Sequence, residues 1–448
     1  MTSKINAITT GSGGIEVTGD SSGEIELQAD GSTIATITSS GLSLTGTLPI
    51  ADGGTGQSTA SDARAALGLE IGTDVQSYDA NTAKYNDTTA NFTGTLQTSG
   101  NQVATQNALG VRNLIINGDM RIDQRNAGAS VSSNNSYAVD RLRNVFTSSG
   151  SFTAQQSTTA PDNFTNSVVW TVGSAASATS SQVANMQYRL EGNTLYQLGL
   201  GTSAAKTMTL SFWVRSSVTG TYCAAFINSA ADRAYVAEYS ISSADTWEQK
   251  SITLTGDTSG TWLTTNGIGL RIQFDLGSGS DYNATANTWV GANDFRTTNQ
   301  TDFINNAGAT FYITGVQLEV GDTATPFEHR PYDMELARCQ RYYYKYLEGA
   351  SKGIGVSAAF TGTTIYTFAN LKISMRATPS LDHTTGLNYY LYLGNNIADS
   401  FDNFNLWSET HSEAVGLFAN TNVSPTQGQA GMITSQNASS YVAFSAEL

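Results

Sequence analysis

Charged residues are scarce in this chain of 448 residues: Asp, Glu, Lys and Arg together make up 13%, against about 25% in an ordinary soluble domain. Proline occurs 6 times, histidine three times and cysteine twice. Small secreted scaffolds held by disulfides use many more cysteines, so Cys223 and Cys339 are expected as free thiols. None of His329, His383 and His411 has the spacing of a helical metal-binding pair, and neither cysteine has a histidine close in sequence. The Gly-rich stretches at 11–14, 53–56 and 277–279 lack the full phosphate-loop patterns. No catalytic centre and no cofactor is therefore expected. There is no run of about 18 apolar residues, so no membrane insertion is expected. The start, MTSKINAITTGSGG, lacks the apolar segment of a secretory signal, which points to synthesis in a cytoplasm. Basic residues are also few. With 22 Lys and Arg against 37 Asp and Glu the net charge is −15, which argues against nucleic acid and against simple docking on an anionic membrane.

The missing charge is replaced mostly by Thr, Ser, Asn and Gly, which suit turns and solvated sheet faces and suit long helices poorly. With 20 Tyr, 17 Phe and 6 Trp there is ample material for β-sandwich cores. The fold class expected is mainly β. Region 1–48 alternates apolar and polar residues in short runs (Ile15–Val17, Ile25–Leu27, Ile34–Ile37, Leu42–Leu44) between Gly-rich turns. Each run has only two or so apolar side chains, too few to offset the ordering entropy in one copy. Association of three chains would supply the missing partners; a floppy tether is the alternative. Region 49–70 carries Gly53, Gly54 and Gly56 and then a short helix from about Ala60 to Leu67, capped by Ser58 or Thr59 and ended at Gly68. In 71–112, a shaft or linker, Thr93–Leu96 repeats Thr45–Leu48. Region 113–332 reads as an antiparallel jelly-roll sandwich, with strands at Asn113–Ile116, Ser167–Val172, Thr207–Val214, Tyr235–Ile241, Lys250–Leu254, Ile268–Phe274 and Ala309–Val320. Region 333–348 reads as a junction helix capped by Asp333 and running through Tyr342, Tyr343 and Tyr346, with its tyrosines packed between domains. Region 349–448 reads as a C-terminal β tip domain.

Three segments carry a family resemblance. VQLEVGDTATPFEHRPYDMELARCQRYYYK at 316–345 resembles a junction in tail fibres of tailed bacteriophages. GGTGQSTASDARAALGL at 53–69 looks like the short tail-fibre repeat. NLIINGDMRIDQRNAG at 113–128 resembles the first strand of a fibre sandwich of the carbohydrate-binding-module type, followed by YAVDRLRNVF at 137–146 and SFWVRSS at 211–217. The resemblance implies a virion structural protein, made in the host cytoplasm, that attaches a tail to the host surface as a homotrimer. It implies partners in the tail tube, nozzle or baseplate through the N-terminal region, and a host surface glycan or other receptor. Weak single sites would then act together. The alternatives are a tail-spike glycanase, whose paired carboxylates the fold could gather from distant positions, and a spacer or adaptor that binds no receptor.

The candidate glycan-binding residues are aromatic, because rings stack on the apolar faces of sugars while amides bond the hydroxyls. In the sandwich they are Trp262, Tyr282, Trp289 and Phe295, in polar, loop-like surroundings. In the tip they are Tyr389, Tyr390, Phe401, Phe404 and Trp407, the last three in FDNFNLW. The alternative for all of them is core or trimer-axis packing. Trp213, in an alternating strand, is expected in the core. Related sugar-binding modules often hold a calcium ion with a Glu in the first strand. Arg121 stands at that place here, and the Thr314–Gly315 region replaces the second acidic residue, so no metal is expected. Asp119, Asp123 and Glu319 are the carboxylates to inspect for one.

Overall fold

The computed structural model describes residues 3–7, 15–18, 23–46, 57, 59–69, 97–98, 101–102, 112–386 and 388–448. It divides into two units, Met1–Ala104 and Thr105–Leu448. In the first, β1 (Ser3–Ala7), β2 (Ile15–Thr18), β3 (Ile25–Ala29), β4 (Ser32–Thr38) and β5 (Gly41–Leu44) form one sheet in the order β2-β1-β3-β4-β5. Among residues 23–46 only Ala35 is buried, while Ile34 is 51% and Leu42 62% exposed. Helix α1 (Ala60–Ala66) starts where Thr59 Oγ1 accepts the Asp62 amide at 3.1 Å, and it ends at Gly68 with φ +71°. A two-residue hairpin, β6 (Gln97–Thr98) and β7 (Asn101–Gln102), completes what is described of this unit. Gly53, Gly54, Gly56, the Thr93–Leu96 repeat and most of the expected shaft lie outside the described residues.

The second unit opens with a sandwich. Its five-stranded sheet contains β10 (Ser151–Ser157), β11 (Ser167–Ser174), β13 (Met208–Ser216), β16 (Glu248–Leu254) and β19 (Thr310–Val320), in the order β10-β11-β19-β13-β16. The facing seven-stranded sheet contains β8 (Tyr137–Val139), β9 (Leu142–Phe146), β12 (Ala184–Glu191), β14 (Gly220–Ile227), β15 (Ala234–Ile241), β17 (Ile268–Asp275) and β18 (Trp289–Val290). Their order is β18-β15-β14-β17-β12-β9-β8, antiparallel throughout. A short helix, α2 (Gly192–Leu195), follows β12. One apolar core lies between the sheets and includes Trp170, Tyr188, Phe212, Tyr222, Phe226, Phe274 and Phe311. Trp213 points the other way: it is half-buried outside that core, beside Gly315. That correction follows from period two, since its neighbours Phe212 and Val214 take the inward positions.

Residues 113–116 form no strand. Side chains hold them instead. Glu328 accepts the Asn113 amide at 2.8 Å, and Arg330 Nη1 donates to Ile115 O at 2.9 Å and to Glu335 at 3.0 Å. Glu335 also accepts the Asn117 amide. Val316 N donates to Gly118 O at 2.9 Å, and a Cβ on Gly118 would fall 2.1 Å from Val316 O. The two best-marked sequence motifs, at 113–128 and 316–345, are therefore one packed structure.

The expected helix over 333–348 is shorter than the sequence pattern suggests. Helix α3 spans Tyr332–Gln340 with Pro331 at its cap position; Asp333 is not the cap but sits in the first turn, where its charge suits the helix dipole. Tyr343–Glu348 is a strand, β20, because consecutive tyrosines prefer a pleated surface and β29 (Tyr441–Ser445) supplies the pairing. β29 lies between β20 and β23 (Ser380–His383). The other tip strands are β21 (Gly353–Thr361), β22 (Thr364–Asn370), β24 (Tyr390–Gly394), β25 (Ile397–Phe401), β26 (Asn405–Leu406), β27 (Ala414–Ala419) and β28 (Ala430–Ser435). They form a second seven-stranded sheet in the order β25-β24-β28-β21-β22-β27-β26.

The sandwich–tip contact is ionic and aromatic. Arg125 pairs with Asp140 at 3.3 Å and with Glu447 at 3.0 Å, and Arg141 also pairs with Glu447. Their guanidinium groups lie over the rings of Tyr343 at 3.7 Å and Tyr342 at 3.5 Å. Arg341 and the Tyr342 hydroxyl both bond Glu191, at 2.6 and 2.7 Å. Burial acts to raise the Glu191 carboxyl, but these hydrogen bonds prevail and hold it below its usual range.

Candidate functional site

The aromatic candidates do not form a platform. Trp262 is only 8% exposed, with its indole N–H donating to Ser259 O at 3.0 Å. Trp289 is half-buried against it, ring centroids 5.5 Å apart, and its N–H donates to Thr255 O. Phe295 is buried and stacks on half-buried Tyr282 at 4.2 Å, where both cover Cys223, Ala225 and Val236. In the tip, Tyr390, Phe401 and Phe404 are buried together, with centroids 4.6–5.6 Å apart. The Tyr390 hydroxyl donates to Thr384 O and Tyr441 O. These five buried rings cannot stack on a sugar. In FDNFNLW both phenylalanines turn inward because β25 ends at Phe401 and the turn returns Phe404 to the same core. Tyr389 and Trp407 are half-buried; Trp407 packs on Tyr366 at 4.9 Å and Phe368 at 5.3 Å.

The carboxylates named for a metal are each occupied by protein. Asp119 pairs with Arg121, Asp123 accepts the Asn126 and Gly128 amides, and Glu319 accepts the Thr325 amide at 2.9 Å and its hydroxyl at 2.6 Å. Among the described residues no three His, Cys, Asp or Glu side chains form a group suited to a metal ion. The donor set does not fit calcium. Cys223 and Cys339 are free and buried, and burial pushes the Cys223 thiol up to about 12, so it stays neutral.

A different surface gathers polar side chains. The face of the seven-stranded sandwich sheet that points away from the core is covered on one half and polar on the other. The loop carrying Tyr282 and Phe295 packs over β14 and β15. Over β9, β12 and β17 the outward residues are mostly polar, with Val145 beside Asn185 as an apolar exception. Register places Tyr137, Arg143, Gln187 and Gln273 in one row across four strands. Arg189 and Arg271 form the next row, and Asn185 stands opposite Asp275 in the row on the other side. Neighbouring strands lie about 4.8 Å apart, so these groups are direct neighbours. Asn185 Nδ2 donates to Gln273 Oε1 at 3.3 Å, and Arg189 Nε to Gln187 Oε1 at 3.4 Å. Asn185 Oδ1 and Arg143 Nη1 are buried and have no partner. Amides offer donors and acceptors together, and guanidinium groups offer forked donors. Asn185, Gln187 and Gln273 are 0%, 5% and 2% exposed, so what solvent reaches of this strip is the half-buried layer of Tyr137, Arg143, Arg189 and Arg271 above them.

Sequence reasoning missed these eight residues, six of which, Asn185, Gln187, Arg189, Arg271, Gln273 and Asp275, lie on β12 and β17. The signal was present in A-N-M-Q-Y-R-L-E and I-G-L-R-I-Q-F-D, where Met186, Tyr188, Leu190, Leu270, Ile272 and Phe274 alternate with the polar set. What could not be read was that these two strands, eighty residues apart, are partners.

No family model and no curated protein matches the chain. Solved structures do match in part. One is the enzymatically active domain of tailspike protein 4 of bacteriophage CBA120, at 14% identity over 47% of this chain and 21% of that one, with a TM-score of 0.24; this chain thus spans about a fifth of its length. Another is a family 11 carbohydrate-binding module of a Clostridium thermocellum cellulosomal cellulase, at 12% identity over 45% of this chain and 99% of that one, TM-score 0.23. A third is TmCBM61, solved with β-1,4-galactotriose, at 11% identity over 47% of this chain and all of that one, TM-score 0.23.

Proposed function

We propose that this chain is a receptor-binding protein of a phage tail, a trimeric fibre component of the virion that attaches to a host surface glycan. The observation that carries glycan binding is the polar strip over β8, β9, β12 and β17, where half-buried Tyr137, Arg143, Arg189 and Arg271 stand side by side with no Asp or Glu ion pair of their own among the described residues. Carbohydrate hydroxyls match that mixture of donors and acceptors. The phage assignment rests on three fibre-like motifs in the expected order, at 53–69, 113–128 and 316–345. In this reading the N-terminal region joins the tail tube, nozzle or baseplate, and the sandwich and tip project outward.

Two surfaces support self-association. Across β3, β4 and β5 only Ala35 is buried. The outer face of the tip's seven-stranded sheet carries Val356 at 74% exposure, Phe360 at 67% and Met432 at 53%, with Phe368 and Leu393 beside them in the sheet. Register puts Leu393, Met432 and Val356 in one continuous row. Contiguous apolar surface of this kind marks an interface, and identical copies in a closed ring bury it on every subunit.

Light scattering on the full chain tests assembly; a well-folded monomer at micromolar concentration would sink the trimer. An array of bacterial surface polysaccharides tests binding, with released reducing ends measured in parallel. Retention of at least one polysaccharide without cleavage is expected. New reducing ends would make the protein a glycanase instead, and an array with no retained polymer removes the glycan reading.

A further inference from the structure

The polar strip has a charge signature that hydroxyl recognition alone does not require. Arg143, Arg189 and Arg271 project from three adjacent strands, and Arg189 stands directly opposite Arg271. Like charges in that relation destabilise a sheet. Most other arginines of this unit, among them Arg125, Arg141, Arg233, Arg330 and Arg341, pair with Asp or Glu; Arg112 and Arg376 bond main-chain oxygens instead, but neither stands beside another unpaired arginine in a sheet row. Among the described residues no Asp or Glu side chain pairs with Arg143, Arg189 or Arg271. Their acceptors are neutral groups or main-chain oxygens. Arg143 Nη2 donates to Asn135 Oδ1. Arg189 Nη1 donates to the main-chain oxygen of Leu448 at 2.7 Å. Arg271 Nη2 donates to Asn228 O at 2.8 Å and to Ser229 O at 3.3 Å.

The acids nearest in the same face are already engaged. Asp275 accepts the Gly277 and Ser278 amides, and Glu238 accepts from Thr297 and Asn299. Glu447 is held by Arg125 and Arg141. A chain of net charge −15 thus sets three arginines without an Asp or Glu ion pair in one strip, with Glu447 acting on Arg189 only from a distance. Anchoring the turn at Asn228 accounts for Arg271, but it leaves Arg143 with a buried, unpartnered Nη1.

We propose that this strip binds an oxyanion carried on the glycan, either the carboxylate of a uronic or sialic acid or a phosphate ester. The inference rests on the glycan reading above and specifies its ligand. Guanidinium forks match carboxylate and phosphate oxygens in pairs, and buried Gln187 beneath them holds the Arg189 fork by accepting its Nε proton. The electrostatics agree: burial, and then the positive charges of Arg143 and Arg271, lower the Arg189 guanidinium to about 10. Burial and the charge of Arg143 lower Arg271 as well. An incoming anion relieves that repulsion.

The test uses the full chain and the polysaccharides it retains on the array, each compared before and after two treatments. Carboxyl reduction removes uronate and sialate charge; dephosphorylation with hydrofluoric acid removes phosphate. One of the two should weaken binding at least tenfold, and so identify the source of the anion. Arg143→Gln should weaken binding of the untreated polymer to a similar extent and leave binding of the treated polymer unchanged. Its melting temperature should stay level or rise, because one of three like charges is gone. Binding indifferent to both treatments, or to Arg143→Gln, overturns the oxyanion site while the glycan reading stands. A chain that retains no polysaccharide at all overturns both.

Discussion

The molecule contains two seven-stranded antiparallel sheets whose outer faces have opposite chemistry. The sandwich sheet turns Arg143, Gln187, Arg189, Arg271 and Gln273 outward. The tip sheet turns Val356, Phe360, Phe368, Leu393 and Met432 outward. Both bury their inner faces in a continuous apolar core. The inner face makes the fold, and the outer face is left free to choose a partner. Water competes well for a polar strip, so that strip suits a ligand that replaces water bond for bond. Water gains nothing from Val356 and Phe360, so that face suits a permanent apolar neighbour.

The largest expected effect breaks the tip side of this contrast. Val356→Glu combined with Phe360→Glu should raise the concentration needed for self-association by a hundredfold or more, since each large side chain contributes about 1.5–3 kcal/mol on burial. Light scattering reads this, and circular dichroism should show the β content intact. Next in size is Glu447→Gln, which removes one partner from a buried ion-pair cluster with Arg125 and Arg141. Breaking such a cluster costs about 3 kcal/mol, visible as a lowered denaturant midpoint. Because it lies between the two sheets, glycan binding and self-association should weaken together in denaturant. A smaller effect tests the sandwich side alone. Gln187→Leu with Gln273→Leu should lower the melting temperature by a few degrees, because Arg189 Nε and Asn185 Nδ2 lose their acceptors, and should cut glycan affinity about tenfold by freeing the Arg189 fork from its position. The smallest effect is in pH. Burial raises the Asp275 carboxyl from its usual range to about 6. The folded state therefore holds this proton more tightly than the unfolded state. Its stabilising contribution is fully present below about pH 4 and is lost as pH rises through 6. Burial raises Asp140 to about 6 as well, so Asp275→Asn should reduce the slope of stability against pH and leave the Asp140 part; an unchanged slope would exclude Asp275.

Much of the fold was legible because β structure writes period two into the sequence. The sparse apolar pairs of residues 25–44 foretold a sheet without a core, and Leu42 and Ile34 are indeed exposed. The jelly-roll strand at 268–274 follows the same rule, while those at 167–172 and 235–241 read as short apolar runs covered on both faces. The helix at 332 was legible from Pro331, but its end was not, since YYYKYL satisfies either structure until β29 arrives as a partner. The candidate site was hardly legible. Rings in polar loops were the obvious sugar ligands, yet Phe295, Phe401 and Phe404 are covered by contacts distant in sequence. Burial of a ring is a tertiary property. The strip's arginines looked ordinary because only the pairing of β9, β12 and β17 makes them neighbours.

The placement of β29 beside β20 has a mechanical meaning. The tip leaves the sandwich along β20 and returns along β29, so two chain crossings stand side by side. The outgoing crossing is covalently continuous with the sandwich. The returning one is moored by Glu447 between Arg125 and Arg141, and by Arg189 on the main-chain oxygen of Leu448. A pull on the tip is shared between a covalent leg and an ionic leg acting in parallel. The ionic leg slips first and dissipates the load, and the tip stays tethered while the mooring re-forms.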